Sequence, residues 1–347
     1  MKACAMLAMF LPLCASGMFV PADDPRLSYS DCFKVDFVGK AARFSRPGQS
    51  AQGYQHDNPG ARLRFRSDAP ALAVKLRYNE LHVSTSARNP VGLRLVDGRP
   101  AGAFATKQKG VRRAVESVDV DFQSPGKGFH DYEVVMPYGD SVDVLGVSVP
   151  EGAKFEPPAP RPARRCAFYG DSVTHGFTAS SIATTYPFLV SRLSGLQMVN
   201  LGIGGRGSSA QDGASLASAN CDLAVVHIGV NDWQGGIPPG ATKRNMAGFL
   251  KAFRERQPAT PLLVVTPLWV ADTWIRAPKY PLADYREALR EAVEASGDRN
   301  AKVIDGLELI DHDAKLFDPV QVHPNDAGFA QMAERLAKAA SPGDAGK

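Results

Sequence analysis

At 347 residues the chain exceeds one ordinary domain, and its composition is that of a globular protein with enough apolar residues for two cores. A net charge of +4 without a dense Lys/Arg block argues against a nucleic-acid binder. Of five cysteines, only Cys32, Cys166 and Cys221 lie beyond the N-terminal segment, which excludes a disulfide scaffold, and no ligand spacing points to zinc.

Lys2 is followed by an apolar run, Ala3 to Leu13, and then by two small-residue cleavage sites, Ala15-Ser16-Gly17 and Val20-Pro21-Ala22. Residues 1–22 therefore read as a secretory leader, too short to span a membrane. The expectation is an exported protein, periplasmic or secreted, without a transmembrane segment. A mis-assigned start codon would make it cytoplasmic.

Residues 25–150 carry short β-rich runs: Arg62–Arg66, Ala71–Tyr78, Val91–Val96, Ser117–Phe122, Tyr132–Met136 and Val142–Val149. Turn formers such as Asp97-Gly98-Arg99-Pro100 separate them. Many short strands without helical period predict an all-β sandwich, jelly-roll-like. Residues 151–165 hold Pro157, Pro158, Pro160 and Pro162, and read as a semi-rigid linker.

From 166 to 340 the pattern becomes strand, loop, helix. Near-continuous apolar runs at Cys166–Tyr169, Met198–Leu201, Leu223–Ile228, Leu262–Thr266 and Lys302–Ile304 predict strands buried on both faces. Helical spacing recurs at 183–194, 209–219, 243–256, 281–296 and 327–340. This predicts an α/β/α three-layer domain with a five-stranded parallel sheet, whose site sits at the carboxyl strand ends.

Four motifs fall there: Gly170-Asp171-Ser172, Asn200-Leu201-Gly202-Ile203-Gly204-Gly205, Gly229-Val230-Asn231-Asp232, and Val322-His323-Pro324-Asn325-Asp326. A serine at a strand-to-helix turn presents its hydroxyl and N–H to one open space, and becomes a nucleophile when an imidazole removes its proton. Gly202 to Gly207 also fits the dinucleotide fingerprint, but on the second strand of the domain and without the acidic partner that fold requires.

In order and content these blocks resemble the SGNH hydrolases, or GDSL esterases, over roughly residues 164–340. The resemblance implies a serine esterase with Ser172 as nucleophile and His323 as base. It implies an oxyanion hole built from the N–H of Ser172, the N–H of Gly205 and the side-chain amide of Asn231, with no metal or cofactor. The family's aspartate three residues before the histidine is replaced by Val320. Either Asp318 orients His323 and completes a catalytic triad, the favoured reading, or a backbone carbonyl does so in a Ser–His dyad. His175, three residues after Ser172, is a rival base.

The sandwich ahead of this domain resembles two-domain bacterial carbohydrate esterases. The reading is a serine esterase that hydrolyses short-chain esters, acetyl foremost, of a carbohydrate or glycoside through an acyl-enzyme, its partner being a small-molecule or glycan ester. Lipase-like, thioesterase-like and acyltransferase activities, and a catalytically inactive glycan-binding protein, stay open. Trp233, Trp274 and Arg276 are the candidate substrate contacts, since aromatic rings beside the site could stack on a sugar. Oligomeric state is left open.

Overall fold

The computed structural model describes residues 17–47, 57–78, 91–105, 115–161, 164–271, 279–318 and 322–340. The N-terminal part consists of β1 (Gly17–Pro21), β2 (Ser28–Ser30), β3 (Lys34–Val38), β4 (Ala41–Ser45), β5 (Arg62–Ser67), β6 (Ala71–Tyr78), β7 (Gly92–Val96), β8 (Arg99–Phe104), β9 (Glu116–Gln123), β10 (His130–Val135), β11 (Val142–Pro150) and β12 (Phe155–Glu156). They form two antiparallel sheets, one ordered β3-β4-β11-β6-β9 with β1 on β11, the other β12-β5-β10-β7-β8 with β2 on β5. Alternate residues of both sheets meet in one core, for example Leu72, Val74, Val120 and Phe122 against Leu63, Phe65 and Val134. Phe122 meets Tyr132 of the other sheet edge-on at 5.3 Å. Each such buried side chain contributes about 1.5–3 kcal/mol.

Two boundaries differ from the sequence reading. Residues 17–21, assigned there to the leader, form β1, register-paired to β11 from Gly17↔Pro150 to Pro21↔Gly146. Val20 and Ala22 are fully buried, so a cut after Ala22 would strip a strand from the sheet, whereas a cut after Gly17 would spare most of it. The proline-rich segment is no free spacer either. Its β12 pairs with β5, the Ala159 carbonyl accepts from Arg64, and Arg161 bonds Glu133 at 2.9 Å. Main-chain pairing and buried charge hold it along the sandwich.

The C-terminal part begins with β13 (Arg165–Gly170) and continues through α1 (Ser172–His175), α2 (Tyr186–Ser194), β14 (Gln197–Asn200), α3 (Asp212–Ala217), β15 (Leu223–His227), α4 (Val230–Gln234), α5 (Pro239–Arg254), β16 (Leu262–Val265), α6 (Leu282–Ser296), β17 (Ala301–Ile304) and α7 (Asp326–Ala340). The sheet is parallel, ordered β14-β13-β15-β16-β17. Cys166, Phe168, Val225 and Val265 face a layer holding α2 and α7. Ala167, Tyr169, Val226 and Val264 face the layer of α3, α5 and α6. Burial on both faces is why these strands read as unbroken apolar runs. Because β14 and β15 flank β13 on opposite sides, the loops leaving β13 and β15 diverge and open a crevice at the carboxyl ends.

The two parts share a core. Leu95, Val135 and Tyr138 of the sandwich pack in the cluster that contains Phe168, Tyr186 and Phe188. Tyr138 donates its hydroxyl to the Ala179 carbonyl at 2.7 Å, and the Ile182 N–H reaches the Val91 carbonyl at 3.0 Å. Among the described residues, no helix is long and apolar enough to cross a membrane.

Candidate active site

Ser172 opens α1 immediately beyond β13. The turn is tight because Gly170 has no side chain: a Cβ there would stand 2.1 Å from Thr174 Oγ1 and 2.4 Å from the His227 carbonyl. Asp171 caps the helix, its carboxylate accepting from the Val173 N–H at 2.9 Å. Gly176 ends the helix in the left-handed region at φ +106°. Burial pushes the Asp171 carboxyl up to about 7, against the opposing pull of the Val173 N–H and the Arg206 guanidinium.

His323 arrives from the far end of the domain. Its Nε2 lies 2.7 Å from Ser172 Oγ, across 151 positions of sequence. Three contacts fix its loop. The Asp318 N–H donates to the His323 carbonyl at 2.8 Å, Phe317 bridges to Pro324, and Thr178 Oγ1 donates to the Pro324 carbonyl at 2.6 Å. Thr178 holds φ +77°, a left-handed backbone that a β-branched residue adopts only when its surroundings impose it. The Phe177 ring packs on the imidazole, centroids 4.7 Å apart.

The orientation of His323 differs from the reading that favoured Asp318. The buried Nδ1 has no hydrogen-bond partner among the described residues. Asp318 meets the histidine through its backbone, while its carboxylate acts on the imidazole by charge alone. Burial pushes the imidazole down to about 4, with the Asp318 charge working in the opposite direction. The main-chain bond of Asp318 braces the histidine loop.

The loop after β14 lies against α1. Asn200 bridges them, its amide donating to the Thr174 carbonyl at 2.8 Å and its oxygen accepting from the Gly202 N–H at 2.9 Å. A Cβ on Gly202 would stand 2.2 Å from the His175 nitrogen, so only glycine permits this approach. Gly205 follows at φ +78°. After β15, Gly229 at φ +112° turns the chain into α4. There Asn231 Nδ2 donates one hydrogen to the Arg206 carbonyl at 3.0 Å. An amide carries two.

Other candidates separate cleanly. His175 points away from Ser172 into the domain seam, its Nε2 2.5 Å from Asp57 Oδ2. Trp233, read from sequence as a substrate contact, is 5% exposed. It packs with Val230, Tyr285 and Val322 and donates its indole N–H to the Tyr280 carbonyl at 3.1 Å. Its one polar atom is thus taken up by a loop bond. Trp274 and Arg276 lie outside the described residues. Sequence reading overlooked Phe177 and Thr178, which follow the serine block without a motif of their own. Nor does the motif around Asn200 show that its side chain bonds both the Thr174 carbonyl and the Gly202 N–H.

Residues 168–331 match the sequence model of the GDSL-like Lipase/Acylhydrolase family. Comparison with curated proteins finds no match. Among solved structures, the salicylyl-acyltransferase SsfX3 from a tetracycline biosynthetic pathway matches with TM-score 0.80 at 23% identity, covering 94% of this chain and 98% of that one. A family two carbohydrate esterase from Cellvibrio japonicus matches at 0.68 and 17%, covering 94% and 97%. The acetyl xylan esterase Est2A from the rumen bacterium Butyrivibrio proteoclasticus matches at 0.59 and 12%, covering 90% and 97%. At these identities the likeness concerns the fold, and its coverage runs through sandwich and α/β/α domain alike. The family match lies on the domain that joins Ser172 to His323: this domain is similar to the GDSL-like lipases and acylhydrolases, and match and geometry together support an ester hydrolase of that type.

Proposed function

We propose that the chain is an exported serine esterase that removes short acyl groups, acetyl foremost, from hydroxyls of a carbohydrate or glycoside. The observation that carries the catalytic part is the 2.7 Å approach of Ser172 Oγ to His323 Nε2. In this reading His323 takes the hydroxyl proton as Ser172 attacks the ester carbonyl. The N–H groups of Ser172 and Gly205 and the second amide hydrogen of Asn231 receive the oxyanion. The alcohol departs with the proton from His323, and water repeats the sequence on the acyl-enzyme.

Carbohydrate as substrate is supported by the shared two-part architecture of the Cellvibrio and Butyrivibrio esterases. Export is supported by the apolar run Ala3 to Leu13, with cleavage after Gly17 as the site that spares most of β1. The test is acetate release from acetylated glycans together with a p-nitrophenyl ester series. A steep fall beyond butyrate and release from at least one glycan are expected. A preference for long chains would replace this reading with a lipase-like one. Absence of Ser172 labelling by a fluorophosphonate would leave a glycan-binding protein. The fold match to an acyltransferase keeps transfer to other acceptors in view, and partition of acetyl between water and added alcohols decides it.

The state of His323 sets the pH dependence. A histidine whose pKa is depressed keeps its neutral, proton-accepting form above that lowered value and loses it as pH falls through it. The acid limb of kcat/KM is therefore expected near pH 4, well below the ordinary histidine range. Asp318→Asn removes a charge that favours the imidazolium, so the limb shifts further down. With no bond to Nδ1 to lose, kcat at neutral pH falls by less than about 10-fold, whereas loss of a hydrogen-bonded triad acid costs about 10⁴. A limb near 6.5, or a loss of thousands-fold, would contradict this description.

A further inference from the structure

The turn that carries Gly205 is held by the sandwich as well as by its own domain. Arg46, directly after β4, is 6% exposed and crosses the seam. Its Nη1 donates to the Gly202 carbonyl at 2.6 Å, its Nε donates to the Asp57 carbonyl, and Nη2 stands 3.9 Å from the Asp57 carboxylate. Asp57 Oδ2 in turn meets His175 Nε2 at 2.5 Å and the Gly139 N–H at 2.9 Å. One buried Arg–Asp pair thus holds both the loop after β14 and the end of the helix that Ser172 opens.

The bond to Gly202 has a specific geometric effect. The C=O and N–H of one trans peptide point in opposite directions. The carbonyl of the 202–203 peptide is bonded by Arg46, and its N–H, on Ile203, donates to the Gly170 carbonyl at 3.0 Å. Clamped at both ends, this plane cannot rotate, and it sets the direction in which the chain enters the turn at Gly205. A buried cation is an expensive way to stabilise a seam, since apolar packing of equal volume often stabilises as well. A guanidinium fork that bonds two carbonyls at fixed angles supplies orientation that apolar packing lacks.

We propose that Arg46 is a positioning residue for the reaction: through it the β-sandwich fixes the 202–203 peptide, and with it the Gly205 amide that meets the oxyanion. The proposal rests on the acyl-enzyme reading above. The test measures kcat and KM for p-nitrophenyl acetate, with melting temperature, for the full chain and for Arg46→Met and Arg46→Lys. A displaced oxyanion donor costs turnover more than binding. Arg46→Met is expected to lower kcat about 10- to 100-fold with KM within about threefold. Arg46→Lys, which keeps a cation able to reach one carbonyl, is expected to restore kcat to within about fivefold of wild type.

Folded variants that both keep the wild-type kcat would overturn the proposal. So would folded variants in which kcat stays low in Arg46→Lys as in Arg46→Met, or in which KM alone rises. Unfolding of both variants would assign Arg46 to stability alone and overturn it equally. A wild-type chain without ester turnover or Ser172 labelling would sink the acyl-enzyme reading itself and this proposal with it. An active, labelled wild type keeps the two failures apart.

Discussion

Replacing Ser172 by alanine is expected to lower kcat for p-nitrophenyl acetate by about 10⁴-fold or more, because nucleophile and base act as a unit and the oxyanion donors have no attacking hydroxyl to serve. The protein should keep its fold. The hydroxyl bonds His323, the helix cap belongs to the Asp171 side chain, and alanine is the better helix former. A melting temperature within a few degrees of wild type is therefore expected alongside the lost turnover. Labelling by a fluorophosphonate should vanish in the same variant. Turnover at the wild-type rate would move the nucleophile elsewhere and remove the significance of the 2.7 Å approach.

The second large effect falls on Asn231. Asn231→Ala is expected to lower kcat by about 10²–10³ with little change in KM, the usual result of deleting one oxyanion donor. The same change frees the Arg206 carbonyl, which accepts from Asn231 at 3.0 Å, so the turn carrying Gly205 loosens as well. Asn231→Asp should be worse than alanine despite its matching shape. It replaces a donor by a negative charge facing both that carbonyl and the growing oxyanion. Asn231→Asp more active than Asn231→Ala would mean that the side chain never faces the developing charge.

How much of this was legible beforehand depended on whether a feature was local. The five parallel strands announced themselves because burial on both faces forces unbroken apolar runs, and the helices between them because one apolar stripe recurs at helical spacing. β8 escaped notice: Arg99-Pro100-Ala101-Gly102-Ala103-Phe104 has neither alternation nor β-branched residues, and pairing with β7 alone makes it a strand. β1 was hidden for a different reason. Met18-Phe19-Val20 continues the apolar character of a leader, and only its partner β11 shows that it is an edge of the sheet.

The site divides along the same line. Gly170, Ser172, Gly202 and Gly229 were readable as blocks because a turn's chemistry is written in adjacent residues. Trp233 looks available in the sequence because it stands beside a motif, whereas in the structure it is buried. The Tyr280 carbonyl that occupies its N–H arrives from 47 positions away. Counting residues back from His323 does not tell which atoms of Asp318 turn toward the ring. His175 could be withdrawn as a rival base only once Asp57, 118 positions earlier, was found to hold it.

By itself, then, the sequence determined the two-part architecture, the parallel sheet and the identity of the serine and histidine blocks. Those depend on periodicity and on short-range backbone chemistry, which neighbouring residues encode. Only the tertiary structure decided that the imidazole meets the hydroxyl, that the proline-rich segment is strapped to the sandwich, and that Arg46 reaches the loop ahead of Gly205. The physical reason is that hydrogen bonds and ion pairs act over about 3–4 Å of space whatever the separation along the chain, so their partners carry no signature until the fold brings them together.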